Sequence, residues 1–187
     1  MLDKVIVGSE EWCSFPTLGI PTIKARVDSG AKTSALHAIN IVTFEKDSES
    51  WVKFDVNPIQ NNAKAVIHCV APLVDKRVVR SSSGFREQRY VIKTKLEIGG
   101  KTWEIEVTLT NRDSMGFRML LGREAMSGRV LVDPEQRYLL GQPTTEKLKE
   151  YYYASNESKK GLKIGLLASN PELYSNKRIL EAGELRG

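Results

Sequence analysis

The stretch Arg26-Val-Asp-Ser-Gly-Ala-Lys-Thr-Ser-Ala-Leu-His-Ala38 decides how this chain folds. Just before and into it, Ile23, Ala25 and Val27 alternate with polar residues, the period of two expected of a half-buried strand. The strand runs into an acid, a hydroxyl and a glycine, and then into small residues. Gly30 lets backbone amides come close to the Asp28 carboxylate, and Ser29 offers a hydroxyl that can brace the loop. An Asp-Ser-Gly triplet by itself makes ordinary turns, so its surroundings must decide whether Asp28 is a turn acid or a reactive carboxylate.

Outward from that stretch the pattern stays β. Val52, Phe54 and Val56 alternate, as do Ala65, Ile67 and Cys69. From Tyr90 to Thr110 the spacing predicts a hairpin. Tyr90, Ile92, Leu96 and Ile98 share one face, Gly99-Gly100 makes the turn, and Trp103, Ile105, Val107 and Leu109 return. Between Gly116 and Met126 an apolar strand end runs into a short helix, and Arg129-Val-Leu-Val-Asp-Pro134 resumes as a strand. The expected class is therefore all-β, β-rich with one short helix. After Leu140 the chain turns polar, which sets a core domain over 1–141 and a partly helical linker over 142–161. Residues 162–187 begin afresh as a strand, Leu162 to Ala168, and a helical pattern with Leu173, Lys177, Leu180 and Glu184 in register. Such a βα unit cannot bury both its faces alone.

The bulk composition bounds the function. At 187 residues, 41% hydrophobic and 27% charged, the chain suits one core domain with an appendage and resembles neither a disordered nor a repeat protein. Its first apolar run is shorter than a signal-peptide core and no segment reaches membrane-span length, so a cytoplasmic protein without membrane attachment is expected. Cys13 and Cys69 lie far apart outside any CxxC spacing and read as two buried thiols. The net charge of +5 suggests an acidic partner. Between Asp75 and Arg89, five basic residues (Lys76, Arg77, Arg80, Arg86, Arg89) stand against two acids, so most of the excess sits there.

The string Thr22-Ile-Lys-Ala-Arg-Val-Asp-Ser-Gly-Ala31 resembles the catalytic loop of retropepsins, single-domain aspartic proteases of the retroviral type. Downstream, Met119-Leu-Leu-Gly-Arg123 resembles their second signature, two apolar residues followed by Gly-Arg. The interval also matches, with a basic, glycine-containing segment where that family has its flap. The likeness is closer to a bacterial branch long labelled "ATP-dependent zinc protease" and associated with ribosomal-protein glutamate ligases of the ATP-grasp class. It is carried by the segments from Leu18 to Ala38 and from Leu109 to Ala125. The tail from Lys163 to Leu180 is similar to the opening strand and helix of those ligases.

The resemblance implies a retropepsin-like barrel and an aspartic peptidase. Two carboxyls sharing one proton activate a water and polarise the peptide carbonyl. The chain has one Asp-Ser/Thr-Gly, so the pair needs a second copy, and the implied state is a symmetric homodimer with Asp28 facing its mate. Asp28, Ser29 and Gly30 form the implied catalytic loop, with Leu121 and Gly122 supporting it. Ala31, Lys32, Arg80, Ser82, Gly84, Arg86, Arg89 and Arg123 line the implied substrate cleft. Retroviral enzymes usually carry an acid where this chain has Lys32, so Arg123 is expected to lose its partner and to face a like charge, with Glu124 on the other side of the helix start. A cleft holding Lys32, Arg123 and the flap arginines suits Glu-rich peptides, and a neighbouring glutamate ligase would supply such tails.

A non-catalytic module that docks or regulates a glutamate ligase is the alternative. Nucleic-acid binding is disfavoured, because the basic segment lacks an aromatic RNA-binding strand or a recognition-helix pattern. No cofactor is expected. His37, His68, Cys13 and Cys69 are isolated rather than set at ligand spacing, no HExxH is present, and no Walker loop offers an ATP site.

Overall fold

A computed structural model describes residues 4–153 apart from 61, 63, 81–83, 85 and 114. The chain divides into two compact units, Met1–Pro143 and Thr144–Gly187. The first contains β1 (Val5–Val7), β2 (Glu10–Phe15), a 3-10 turn at Pro16–Leu18, β3 (Ile20–Asp28), β4 (Ser34–His37), β5 (Ile39–Lys46), β6 (Glu49–Val56) and β7 (Ile67–Arg80). It continues with β8 (Arg86–Ile98), β9 (Lys101–Thr110), β10 (Met119–Gly122), α1 (Arg123–Met126) and β11 (Val130–Val132).

The order β2-β3-β10-β4-β9-β8 closes on itself because Ser14 of β2 pairs with Glu97 of β8, giving a six-stranded barrel. From β8 the sheet extends through β7, β6 and β5. The predicted β class and barrel are thus present. The alternating residues point inward: Ile23, Ala25 and Val27 from β3, Ile92, Leu96 and Ile98 from β8, and Val107 and Leu109 from β9, with Leu36, Met119 and Leu121 between them. Removing the valine, leucine, isoleucine and methionine side chains among them from water contributes about 1.5–3 kcal/mol each. The predicted hairpin is the β8–β9 pair, with Ile98 opposite Lys101 and both turn glycines at positive φ.

The first and last strands of this unit also meet. β1 pairs in parallel with β11, burying Val5 and Val7 while Ile6 and Leu131 face outward. Glu11 is fully buried, its carboxylate accepting from the Gly8, Leu139 and Leu140 amides. A buried charge survives only with donors of this kind.

The second unit is described only through α2 (Thr145–Tyr152), capped by the Thr144 hydroxyl accepting from the Lys147 amide at 3.2 Å. Part of the expected linker is therefore helical. The expected βα tail over 162–187 lies outside the described residues. Among them, no helix is long and apolar enough to cross a membrane.

Candidate active site

Asp28 is the last residue of β3, and β10 runs parallel beside it with Leu121 opposite Val27 and Gly122 opposite Asp28. β10 also pairs antiparallel with β4, so it is wedged between two strands that follow each other in sequence. Gly122 is required there. A Cβ on it would stand 2.6 Å from the Thr33 carbonyl carbon, so only glycine lets the strand pass that backbone. Its amide donates to the Ser34 hydroxyl at 3.0 Å.

The loop from Ser29 to Thr33 is held from both directions. The Gly30 and Ala31 amides donate to Asp28 Oδ1 at 2.9 and 3.0 Å. From the start of α1, the Arg123 and Glu124 amides donate to the Ala31 and Lys32 carbonyls. The Arg123 guanidinium donates to the Gly30 carbonyl at 3.2 Å. Asp28 is half-buried and Ser29 and Gly30 are exposed, so one carboxylate oxygen is pinned and the residue remains accessible. The two sequence signatures thus meet through Asp28, Gly122 and Arg123.

The cleft charges differ from expectation at Lys32. Its ammonium lies 3.7 Å from Glu124, so Glu124 sits on the same side of the helix start as Lys32 and answers that charge, while Arg123 has the Gly30 carbonyl in place of an acid. Both side chains are largely exposed, and the contact is worth little in stability. Arg89 pairs with Glu87 at 2.7 Å, and the Thr110 hydroxyl donates to the same carboxylate. Arg80 and Arg86 face each other across the ends of β7 and β8 and are exposed, with Gly84 between them at positive φ. Ser82 lies outside the described residues.

One residue near Asp28 escaped the sequence. Arg112, just after β9, is only 7% exposed. Its Nε donates to the Phe117 carbonyl, and its own amide donates to His37 Nδ1 at 3.0 Å. Burial first, then the neighbouring Arg89, push its pKa below the usual arginine value, while the charge of Asp28 pulls it back up. The guanidinium stays charged regardless. In the sequence, nothing in Thr-Asn-Arg-Asp marked it out from other arginines.

His37 is fully buried, with Nδ1 occupied by the Arg112 amide and Nε2 3.6 Å from Asp113. Exposed His68 pairs with Asp55. Cys13 and Cys69 are buried thiols whose pKa burial pushes up to about 12. Among the described residues, no three His, Cys, Asp or Glu side chains gather as metal donors. These residues do not fit the zinc of the family label.

A closed barrel with Asp-Ser-Gly at one strand end, braced by Leu-Gly-Arg at the next, defines a retropepsin-like aspartic-peptidase fold. The family model for RimB-like, "Retropepsin-like aspartic endopeptidase RimB", matches residues 6–143, and the chain belongs to that family. It is 57% identical over 185 residues to a "Probable alpha-L-glutamate ligase" of Shewanella halifaxensis, covering 99% of this chain and 40% of that protein. A protein of the same name from Parasynechococcus marenigrum is 58% identical over 187 residues, again over 40% of its length. The chain thus spans about two fifths of the curated relatives it matches. Among solved structures it is similar to Lpg0085 of Legionella pneumophila, a protein of unknown function. The TM-score is 0.60 with 28% identity, over 72% of this chain and 97% of that one.

Proposed function

We propose that this chain is an aspartic peptidase whose reacting group is a pair of Asp28 carboxyls, one from each copy of a homodimer. The observation that carries the reading is the pinned Asp28: Oδ1 accepts the Gly30 and Ala31 amides while the residue stays accessible at the strand end. One carboxylate of the pair removes a proton from water, the other, protonated, donates to the peptide carbonyl, and the water oxygen attacks its carbon. Ser29, beside Asp28, braces the loop against its mate. Gly30 to Lys32, Arg123 and the flap residues Arg80, Gly84, Arg86 and Arg89 border the path of the substrate backbone.

The substrate class is an acidic peptide, foremost a polyglutamate tail on a protein. The exposed flap arginines and the glutamate-ligase names of the relatives support this. In the same reading the core peptidase domain, 1–141, is joined through the linker to the first βα unit of a ligase. A cytoplasmic setting accords with two unpaired buried cysteines.

Asp28→Asn tests the mechanism. Incubated with glutamate-tailed and neutral peptides and analysed by mass, the unaltered protein is expected to shorten the acidic tails, and the variant to leave them intact while keeping its fold. Turnover by the variant would remove Asp28 from the reaction. The ligase names also favour a second reading, a module that binds a ligase or its tailed product without cleaving. That reading requires no cleavage by either protein and acidic-peptide binding that survives the substitution.

A further inference from the structure

His37 holds both ends of the connection from β9 to β10. Its own amide donates to the Arg118 carbonyl at 2.7 Å, one residue before β10 begins. Its ring, fully buried, accepts the Arg112 amide at Nδ1 at 3.0 Å, two residues after β9 ends. Between those ends the Arg112 Nε donates to the Phe117 carbonyl, the Met115 amide donates to the Arg112 carbonyl, and the Arg118 guanidinium donates to Asp113. The connection is thus knitted to itself and fastened to β4 through His37.

The bond to the ring fixes where the imidazole carries its proton. An amide N–H can only donate, so Nδ1 must be bare, and the neutral ring keeps its hydrogen on Nε2. Nε2 has no hydrogen-bond partner among the described residues and lies 3.6 Å from Asp113 Oδ1. A second proton has to go to Nδ1, where it meets the Arg112 N–H. Two donors then face each other, and the bond cannot survive. The charged groups that face the ring are Arg112 and Asp113, from the start of the connection, and Arg118, from its end. Burial disfavours the imidazolium most, then Arg118; Asp113 favours it and Arg112 opposes it.

We propose that His37 is a proton-controlled latch: neutral, it holds the Arg112 end of the connection against β4, and protonated, it releases that end and turns to Asp113. The released amide belongs to a buried residue, and an unpaired buried N–H is costly, so the Arg112 end moves toward water. Because the folded ring resists its proton, the latch is closed at neutral pH and opens only below the ordinary histidine value of 6.5. The opening acts on the strand beside Asp28, since the connection leads directly into β10 and Gly122 of β10 lies opposite Asp28. The latch itself does not rest on the peptidase reading.

Amide hydrogen exchange and nitrogen NMR on the full, isotope-labelled chain test it between about pH 7 and about pH 4.5. In the unaltered protein the His37 Nδ1 signal is expected to change from bare to protonated, and the Arg112 amide to lose at least about tenfold in protection relative to the core amides of β8 and β9, both with one midpoint. His37→Asn puts an acceptor that does not titrate in the place of Nδ1, so the relative protection of Arg112 should hold steady over the same range. An equal loss in that variant overturns the latch, as does a hydrogen found on Nδ1 at neutral pH. A ring that takes its second proton without loss of Arg112 protection, or that stays neutral until the chain unfolds, also overturns it. If His37→Asn does not fold, the coincidence of the two midpoints in the unaltered protein decides alone. No peptide enters the measurement, so a failed latch leaves the peptidase reading intact, and cleavage that survives Asp28→Asn leaves the latch intact.

Discussion

Gly122 has no room for a side chain: a Cβ there would lie 2.6 Å from the Thr33 carbonyl carbon and 2.9 Å from the Ser34 amide nitrogen. Both belong to backbone, which cannot swing aside as a side-chain tip does. Gly122→Ala is therefore expected to cost about 1–3 kcal/mol in urea unfolding. It should also depress any peptide turnover beyond what that loss explains, because Gly122 is the register partner of Asp28. Such a residue could be picked out from the sequence, since Leu-Leu-Gly-Arg is a local pattern. Arg112 could not, because its meaning comes from contacts with His37 and Phe117 and from the reach of Asp28. His37 adds a pH-dependent term. Burial first, then Arg118, lower its pKa from the ordinary 6.5; Asp113 opposes this and Arg112 reinforces it. The unfolded chain gains a proton near pH 6.5 while the folded chain does not, so stability present above that pH is lost as the pH falls toward the lowered value. His37→Gln is expected to flatten the fall in urea midpoint between about pH 7 and about pH 5. An unchanged slope would place that acid sensitivity elsewhere.

The β8–β9 hairpin was legible because its cause is local: two alternating strands and a Gly-Gly turn whose φ angles, 58° and 72°, favour glycine. The two glycines nevertheless have unequal surroundings. A Cβ on Gly99 would meet Val5 Cγ1 at 2.6 Å, whereas one on Gly100 meets nothing within 4 Å. Gly100→Asn should be nearly neutral, because asparagine tolerates the left-handed region. Gly99→Ala should lose about 1–2 kcal/mol for its backbone alone, and more if β1 is displaced. Thermal unfolding of the two variants checks the contrast, and equal losses would mean that the Val5 contact gives way freely. The β5–β6 turn was harder to see, since Asp47 and Ser48 take positive φ without a glycine. Barrel closure came from the family resemblance and not from periodicity, because one pair, Ser14 with Glu97, joins strands 83 positions apart and leaves no periodic trace. The β1–β11 pairing leaves no periodic trace either, being a three-residue match between the two ends of the unit.

A reacting pair built from one aspartate per chain ties activity to assembly. That expectation comes from the sequence, by counting Asp-Ser/Thr-Gly triplets, and it belongs to the proposed function. The pairing partner of Lys32 was not legible there, because the direction Glu124 takes at the start of α1 depends on how that helix is pinned to the Ala31 and Lys32 carbonyls. If each working site contains two copies of Asp28, turnover per chain must fall on dilution once the dimer dissociates, and rise to a plateau as concentration restores it. Sedimentation at the same concentrations should place the loss of activity at the dimer–monomer transition. Mixing gives a stricter version, because Asp28→Asn chains exchanged into the unaltered protein form hybrids with one carboxyl each. At a threefold excess of variant, random exchange leaves about one quarter of the original chains paired with each other, and activity should drop to about that fraction. Activity that instead stays proportional to the unaltered chains, with exchange verified by native mass, would mean that one Asp28 suffices and that the second carboxyl takes no part.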